Sequence, residues 1–214
     1  MYKTDNSPQG LFIEKQKVLS PLDTSSGNGN FYLKPNGVFY ITAYNIPVSS
    51  KQNDHRNRKM TGIKFQIVQP GDNTIIQFIA DRYLSEWNIP KDKTIERLQS
   101  FTGNDFQFQV LMTLDSIPIA TGGLYNHVGL LDKEPRFRIY ENWLALVYAI
   151  PGMRHRGFGA LICAYINDYS KTLGVKEMYL YTDTAERLYT RLGWNQLERL
   201  SLGERNIVVM KKDL

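Results

Sequence analysis

A turn rich in glycine and arginine carries residue types suited to binding a phosphorylated ligand: Arg154-His155-Arg156-Gly157-Phe158-Gly159. The apolar run at 143–150 is typical of a buried strand, and the apolar spacing within 161–169 predicts a helix after the turn. Glycine permits close backbone approach, and the first N–H groups of a helix attract negative charge. Arginine adds charge-assisted hydrogen bonds to phosphate. This strand–turn–helix segment therefore predicts an anion-binding site.

The turn resembles the Arg/Gln-x-x-Gly-x-Gly/Ala motif of the GNAT family of N-acetyltransferases, which in that family binds the pyrophosphate of acetyl-coenzyme A. Arg154, Gly157 and Gly159 occupy the motif positions, whereas His155 stands where relatives often have glycine. Downstream, residues 177–182 follow as the next strand. The segment 185–194, Ala-Glu-Arg-Leu-Tyr-Thr-Arg-Leu-Gly-Trp, resembles the family's Ala-x-x-Leu-Tyr-x-x-x-Gly-Phe/Trp helix. The resemblance covers roughly residues 61–214.

This resemblance implies direct transfer of an acetyl group from acetyl-coenzyme A to a primary amine in a ternary complex. The amine belongs to a small molecule or to a protein or peptide. The resemblance implies cofactor contacts from the turn and the strand before it: Arg154, Arg156, Gly157, Phe158, Gly159, Ala160, Tyr148 and Ala149. Tyr189 matches the tyrosine that protonates the departing thiolate in many relatives, and a phenol with a pKa near 10 is protonated at neutral pH. Core packing is the alternative for Tyr189, as it is for Tyr148 and Trp194 near the acyl group.

The general base is harder to place, because the strand at 143–150 contains no carboxylate. Glu141 at the entrance of this strand is a weak candidate. His127 titrates in a suitable range, but solvent exposure is the alternative for it, and a water relay to bulk needs no side chain. Asp183 is interpreted instead as the N-cap of the final helix, with Glu186 completing a capping box. A coenzyme A-binding or regulatory module with weak or no catalysis therefore stays open as an alternative function.

Composition indicates a globular chain of 214 residues, long enough for one good core or for one domain with an appendage. The longest apolar run is far shorter than the roughly 20 residues that span a bilayer, and no signal-type segment follows Met1. One cysteine, Cys163, fits a reducing compartment and a packed helix position, so the cytoplasm is expected. No metal-binding pattern is identified.

The net charge of +5 comes largely from a polar segment within 51–64, either a solvated linker or a basic rim attracting coenzyme A. Nucleic acid is disfavoured because aromatic residues do not interleave the basic ones.

Three parts are predicted along the chain: a β-rich appendage at 1–45, a polar basic linker at 46–60 and the N-acetyltransferase domain at 61–214. The appendage has short strand-like runs at 11–13, 31–33 and 38–41 separated by turn residues. Its Ser-Pro-x-Gly-Leu-x-Ile-Glu and Gly-Asn-Gly-Asn-Phe-Tyr-Leu segments resemble an internal fragment of a phosphodiester glycosidase-like domain. A fusion remnant is the favoured interpretation, and residual sugar-phosphodiester binding is the alternative. The oligomeric state, a homodimer included, stays open.

Within 61–214 the patterns predict an α/β fold in which a mixed, mostly antiparallel sheet is flanked by helices. A strand at 64–68 precedes a helix capped by Asp72 or Asn73, and a second helix follows Pro90. Residues 107–124 predict a hairpin that turns at Asp115-Ser116. Residues 126–139 are expected to form a loop near the acceptor. One closing strand is expected at 206–210.

Overall fold

The computed structural model describes residues 29–33, 39–44, 62–101 and 106–214. These ranges contain one sheet whose strands run in the order β1-β2-β3-β4-β5-β6-β7-β9-β8. The strands are β1 Gly29–Leu33, β2 Phe39–Tyr44, β3 Ile63–Ile67, β4 Phe108–Leu114, β5 Ile117–Tyr125, β6 Trp143–Ala149, β7 Glu177–Thr182, β8 Asn195–Leu202 and β9 Arg205–Asp213. The helices are α1 Asn73–Trp87, α2 Lys91–Gln99, α3 Leu130–Lys133, α4 Phe158–Thr172 and α5 Glu186–Arg191. Two short 3₁₀ segments lie at Pro135–Ile139 and Pro151–Met153.

The expected fold class is confirmed: the sheet is mixed and mostly antiparallel, with helices on both faces. All neighbouring strands in the described ranges pair antiparallel except β6 and β7, which are parallel. The parallel step follows from the chain path, because α4 carries the chain from the end of β6 back to the start of β7. β2 pairs with β3, so β1 and β2 extend the sheet at one edge.

Two apolar cores cover the two faces of the sheet. On one face, α4 buries Leu161, Ile162 and Ile166 against strand residues such as Leu144 and Met178. On the other face, α1 and α2 pack a separate set of buried side chains, including Ile76, Ile79, Tyr83 and Leu98, against residues such as Trp143 and Tyr148. The apolar periodicity of each helix determines which side it turns to the sheet. Each core holds one side of β6 in place.

A buried polar cluster lies between α1 and the centre of the sheet. Gln109 donates to Tyr83 Oη at 2.9 Å and accepts a hydrogen bond from Tyr125 Oη, and Thr121 also contacts the Gln109 amide. Burial raises the pKa of both tyrosines, so both phenols stay protonated and able to donate. Because every member has a partner, the cluster fixes how α1 sits on β4 and β5.

We expect Gly123→Ala to destabilise the fold by about 3 kcal/mol, a typical cost of forcing an atom into a packed site. A Cβ there would collide with the Phe108 carbonyl oxygen and lie 2.7 Å from Gln109 Oε1. Gly152→Ala is the matched control, since a Cβ at Gly152 meets nothing within 4 Å. Denaturant unfolding of both variants measures the difference, and equal midpoints would contradict the predicted clash.

Several predicted boundaries are confirmed, and some expectations need correction. The 115–116 turn forms, with both residues at positive φ as a two-residue hairpin turn requires. The expected loop at 126–139 instead contains α3 and a 3₁₀ segment, and the expected single closing strand is a hairpin of β8 and β9. Asp72 precedes α1 as predicted, but its carboxylate accepts from Gln69 N and Gln66 Nε2 and does not cap the helix. The run at 11–13 and the linker at 46–60 lie outside the described residues.

Candidate active site

The two parallel strands at the centre of the sheet diverge, and this divergence creates the candidate site. β6 and β7 are in register at Trp143 and Tyr179, where Tyr179 N donates to Asn142 O at 3.0 Å. No further register pair joins these two strands within the described residues. The gap therefore widens toward their carboxyl ends, where a ligand can enter between them without displacing a ladder hydrogen bond.

A β-bulge lies in β6 beside this gap. Thr121 is opposite Tyr148 and Gly123 is opposite Ala145, so β6 has one residue more than β5 over the same stretch. Leu146 takes up the extra length with a φ of 54°, which is strained for a leucine. Tyr83 Oη from α1 donates to Leu146 O at 3.0 Å and holds the bulge. The bulge frees peptide groups of β6 from regular pairing.

A cavity of about 900 Å³ lies between β6, the turn before α4 and the α5 region, near the carboxyl end of β6. It is lined by Glu86 of α1, by Val147, Tyr148 and Ala149 of β6, by Arg154, His155, Arg156, Gly157, Gly159 and Ala160 of the turn and α4, and by Thr184, Ala185, Arg187, Leu188, Tyr189, Arg191 and Leu192 of the α5 region. Tyr148 belongs to the core on the α1 face and Tyr189 to the core on the α4 face. The cavity is therefore reached by side chains from both faces of the sheet.

The glycine- and arginine-rich turn folds so that the start of α4 points into the cavity region. Gly157 directly precedes α4 with a φ of 85°, a conformation that glycine adopts without strain. The first intrahelical bond runs from Leu161 N to Gly157 O at 3.0 Å. The amides of Phe158, Gly159 and Ala160 precede this bond, so they are the free N–H groups of the helix end. This arrangement can bind an anion.

His155, which stands where relatives often have glycine, adopts the left-handed backbone conformation that glycine favours. Its φ is 60°, and its side chain is exposed at the cavity. A non-glycine residue tolerates this region at a cost of roughly 1–2 kcal/mol. The turn therefore keeps a glycine-like backbone path at this position.

Four arginines line the cavity, and two of them were not predicted from the sequence. Arg154 and Arg156 come from the turn, while Arg187 and Arg191 come from α5. Arg187 and Arg191 are four residues apart and so lie on the same face of α5. This spacing is visible in the sequence, but only the structure shows that α5 lies beside the glycine- and arginine-rich segment before α4. Arg154 is engaged: its Nη2 lies 2.7 Å from Glu86 Oε2, its Nε donates to Ala149 O, and its guanidinium lies over the Tyr148 ring.

Tyr189 reaches the cavity from α5 and is nearly buried, with 9% of its surface exposed. Its ring packs edge-on against Trp194 at 6.1 Å between centroids. Burial is the main cause that raises the pKa of Tyr189 well above its ordinary value. The phenol is therefore protonated at neutral pH, and Tyr189 forms part of the cavity lining.

Two of the predicted contact residues have buried side chains away from the lining. Phe158 is 1% exposed, its ring packs in the core, and it is not among the residues that line the cavity. Trp194 is also 1% exposed, and it supports Tyr189 from within the core. Arg154, Arg156, Gly157, Gly159, Ala160, Tyr148 and Ala149 all line the cavity.

The acidic and basic candidates named from the sequence lie elsewhere. Glu141 is exposed at the start of β6, the end at which β6 and β7 are still paired, so the geometry gives it no contact with the cavity. His127 is exposed and pairs with Asp132 at 2.9 Å. Asp183 is not the predicted N-cap: that position is Ala185, whose N–H donates to Thr182 Oγ1, while Asp183 pairs with Arg205 at 2.8 Å. The Arg205 contact holds the pKa of Asp183 below its ordinary value.

Glu86 is the carboxylate that the structure places in the cavity and that sequence reasoning missed. It lies on α1, 68 residues before its partner Arg154. Cys163 is buried on the core-facing side of α4, and burial raises the pKa of its thiol to about 12, so it is a packing residue without nucleophilic character. None of the helices in the described ranges has the length and apolar character needed to cross a membrane.

The fold is shared with solved acetyltransferase structures. An aminoglycoside 6'-acetyltransferase type Ii has a TM-score of 0.55 at 15% identity, over 70% of this chain and 96% of that one. An aminoglycoside 6'-N-acetyltransferase complexed with coenzyme A has a TM-score of 0.54 at 14% identity, over 70% and 96%. A GNAT-family acetyltransferase from Streptococcus pneumoniae has a TM-score of 0.53 at 12% identity, over 71% and 99%. The described domain therefore has the fold of GNAT-family acetyltransferases.

No family model matches the chain. A stretch of 48 residues is 35% identical to the uncharacterised protein YigE of Escherichia coli K12, and it covers 22% of this chain and 19% of that protein. The comparisons give no support to the resemblance between residues 1–45 and a phosphodiester glycosidase-like domain.

Proposed function

We propose that this protein is an N-acetyltransferase that uses acetyl-coenzyme A as the acetyl donor and a primary amine as the acceptor. One observation supports this most: the same cavity is lined by the amino end of α4, four arginines and a protonated buried tyrosine. The shared fold supports it further, since one of the similar structures is a complex with coenzyme A. A cytoplasmic location and a domain at 61–214 belong to the same proposal.

The residues present suit the diphosphate of coenzyme A. The N–H groups of Phe158, Gly159 and Ala160 form the free end of α4, where the helix dipole favours an anion. Arg156, Arg187 and Arg191 add positive charge around the same space. The part of the cavity between β6 and α5 is lined by Tyr148, Ala149 and Leu188, and this lining suits the less charged part of the donor.

Acetyl-coenzyme A, when bound, supplies a thioester whose acetyl carbon forms a C–N bond with the amine as its C–S bond breaks. Tyr189 holds a phenolic proton that it donates to the departing sulfur, which yields the free thiol, and water then restores the phenol. The attacking amine loses one proton to solvent water, so the sum is an amide and a thiol. The β6 bulge and the side chains around it hold the reacting groups close together.

Thiol release from acetyl-coenzyme A in the presence of a panel of primary amines tests this function directly. We expect amine-dependent release with at least one acceptor, together with coenzyme A binding by calorimetry. Binding without release for every amine would overturn the catalytic proposal.

A coenzyme A-binding module without catalysis is the second candidate. The observation that favours it is the absence of a carboxylate from β6, the strand beside the gap. Binding without turnover would then be the positive result, and the anion site at α4 would be its basis.

A further inference from the structure

One carboxylate enters the cavity from the face of the sheet opposite α4. Glu86 lies near the carboxyl end of α1, and its side chain is 33% exposed. It lines the same cavity as Tyr189, which comes from the α4 face. A ligand that approaches from the α1 side therefore meets Glu86 while the donor occupies the arginine-lined side.

Only one of the two Glu86 carboxylate oxygens accepts a hydrogen bond within the described residues. Its Oε2 accepts from Arg154 Nη2 at 2.7 Å. Its Oε1 accepts no hydrogen bond from the part of the chain that the structure describes. Oε1 can therefore accept a hydrogen bond from a ligand.

Aromatic surface lies next to this carboxylate. Trp87 is 41% exposed, a large fraction for a tryptophan, and its ring is edge-on to Tyr148 at 6.1 Å between centroids. Tyr148 in turn lines the cavity. An aromatic surface beside a carboxylate suits a ligand that carries positive charge on a hydrocarbon chain.

The ion pair with Arg154 does not remove the preference of Glu86 for a positively charged ligand once acetyl-coenzyme A is bound. Arg154 is in the same turn as Arg156 and also lines the cavity, so a diphosphate bound at the amino end of α4 lowers the positive potential around the Glu86–Arg154 pair. The negative charge of Glu86 then acts more strongly on a nearby cation. Acceptor binding should consequently depend on prior binding of the donor.

We propose that Glu86 selects the acceptor by binding an ammonium group, with Trp87 and Tyr148 contacting the hydrocarbon chain. The nitrogen that is acetylated must be neutral to attack, so the ammonium held by Glu86 is a second one. The preferred acceptor class is therefore a diamine or polyamine. This inference rests on the proposed acetyl transfer and deepens it.

A matched series of five-carbon amines tests the proposal. Cadaverine, pentylamine and δ-aminovalerate share a reacting primary amine but end in an ammonium, a methyl group and a carboxylate. With coenzyme A-saturated wild-type protein, calorimetry should show cadaverine binding at least tenfold more tightly than the other two, since hydrogen bonds between charged groups are stronger than those between neutral ones. Glu86→Gln should remove this preference, and kcat/KM should follow the same order.

Glu198→Gln is the matched control. Glu198 is also a half-exposed glutamate paired with an arginine, Arg136, at 2.6 Å, and it lies outside the cavity. This variant should keep the cadaverine preference.

The outcomes separate the inference from the proposed function. Glu86-dependent cadaverine binding without acetylation would support the ammonium site and overturn acetyl transfer to these amines. Acetylation of all three amines at similar rates, unchanged in Glu86→Gln, would overturn the inference and leave the function intact. Failure of cadaverine to bind the coenzyme A-saturated protein would also overturn it.

Discussion

Tyr189→Phe is expected to lower kcat by about 10²- to 10⁴-fold and to leave coenzyme A affinity unchanged, as for the loss of a general acid. In the proposed mechanism the hydroxyl donates the proton, whereas the ring, which packs on Trp194, is kept in phenylalanine. Steady-state thiol release and calorimetry measure the two quantities.

The pH dependence adds a second readout for Tyr189. A general acid works only while protonated, and burial raises the pKa of this phenol. The ordinary pKa of a phenol is about 10. At any pH below that value Tyr189 should therefore keep its proton, and its titration should cause no fall in kcat. The control is Tyr169→Phe, since Tyr169 packs on Phe108 outside the cavity. Equal rates for Tyr189→Phe and wild type would assign Tyr189 to packing alone.

Gly157→Ala is expected to weaken coenzyme A binding by about 10- to 100-fold. Alanine at a φ of 85° is strained, so the backbone will shift and misplace the N–H groups at the start of α4. Losing one such bond to a charged phosphate costs about 1.5–3 kcal/mol, and 1.4 kcal/mol corresponds to a tenfold change.

Gly174→Ala is the control for backbone strain. Gly174 follows the other end of α4 with a φ of 90°, and a Cβ there meets nothing within 4 Å. Both variants should lose similar stability in denaturant unfolding. Unchanged coenzyme A affinity in Gly157→Ala would remove the turn from the binding site.

Much of the cavity lining around α4 and α5 could be predicted because it is built from contiguous segments. The turn, the start of α4 and the position of Tyr189 follow from glycine placement and helical spacing over short stretches. The error at Asp183 has the same origin: a capping pattern was present, but Arg205 from β9 competes for that carboxylate. Local sequence does not reveal a partner supplied by a distant strand.

The sequence by itself determined the strand–turn–helix segment, its charge and the fold class, since these depend on periodicity and local backbone preferences. Tertiary structure alone decided which side chains share the cavity. The gap exists because β6 and β7 diverge after Trp143 and Tyr179, and the bulge at Leu146 depends on pairing with β5. Glu86 meets Arg154 across 68 residues because α1 packs on the face of β6 opposite α4. Such proximity arises from packing, so spacing along the chain could not indicate it.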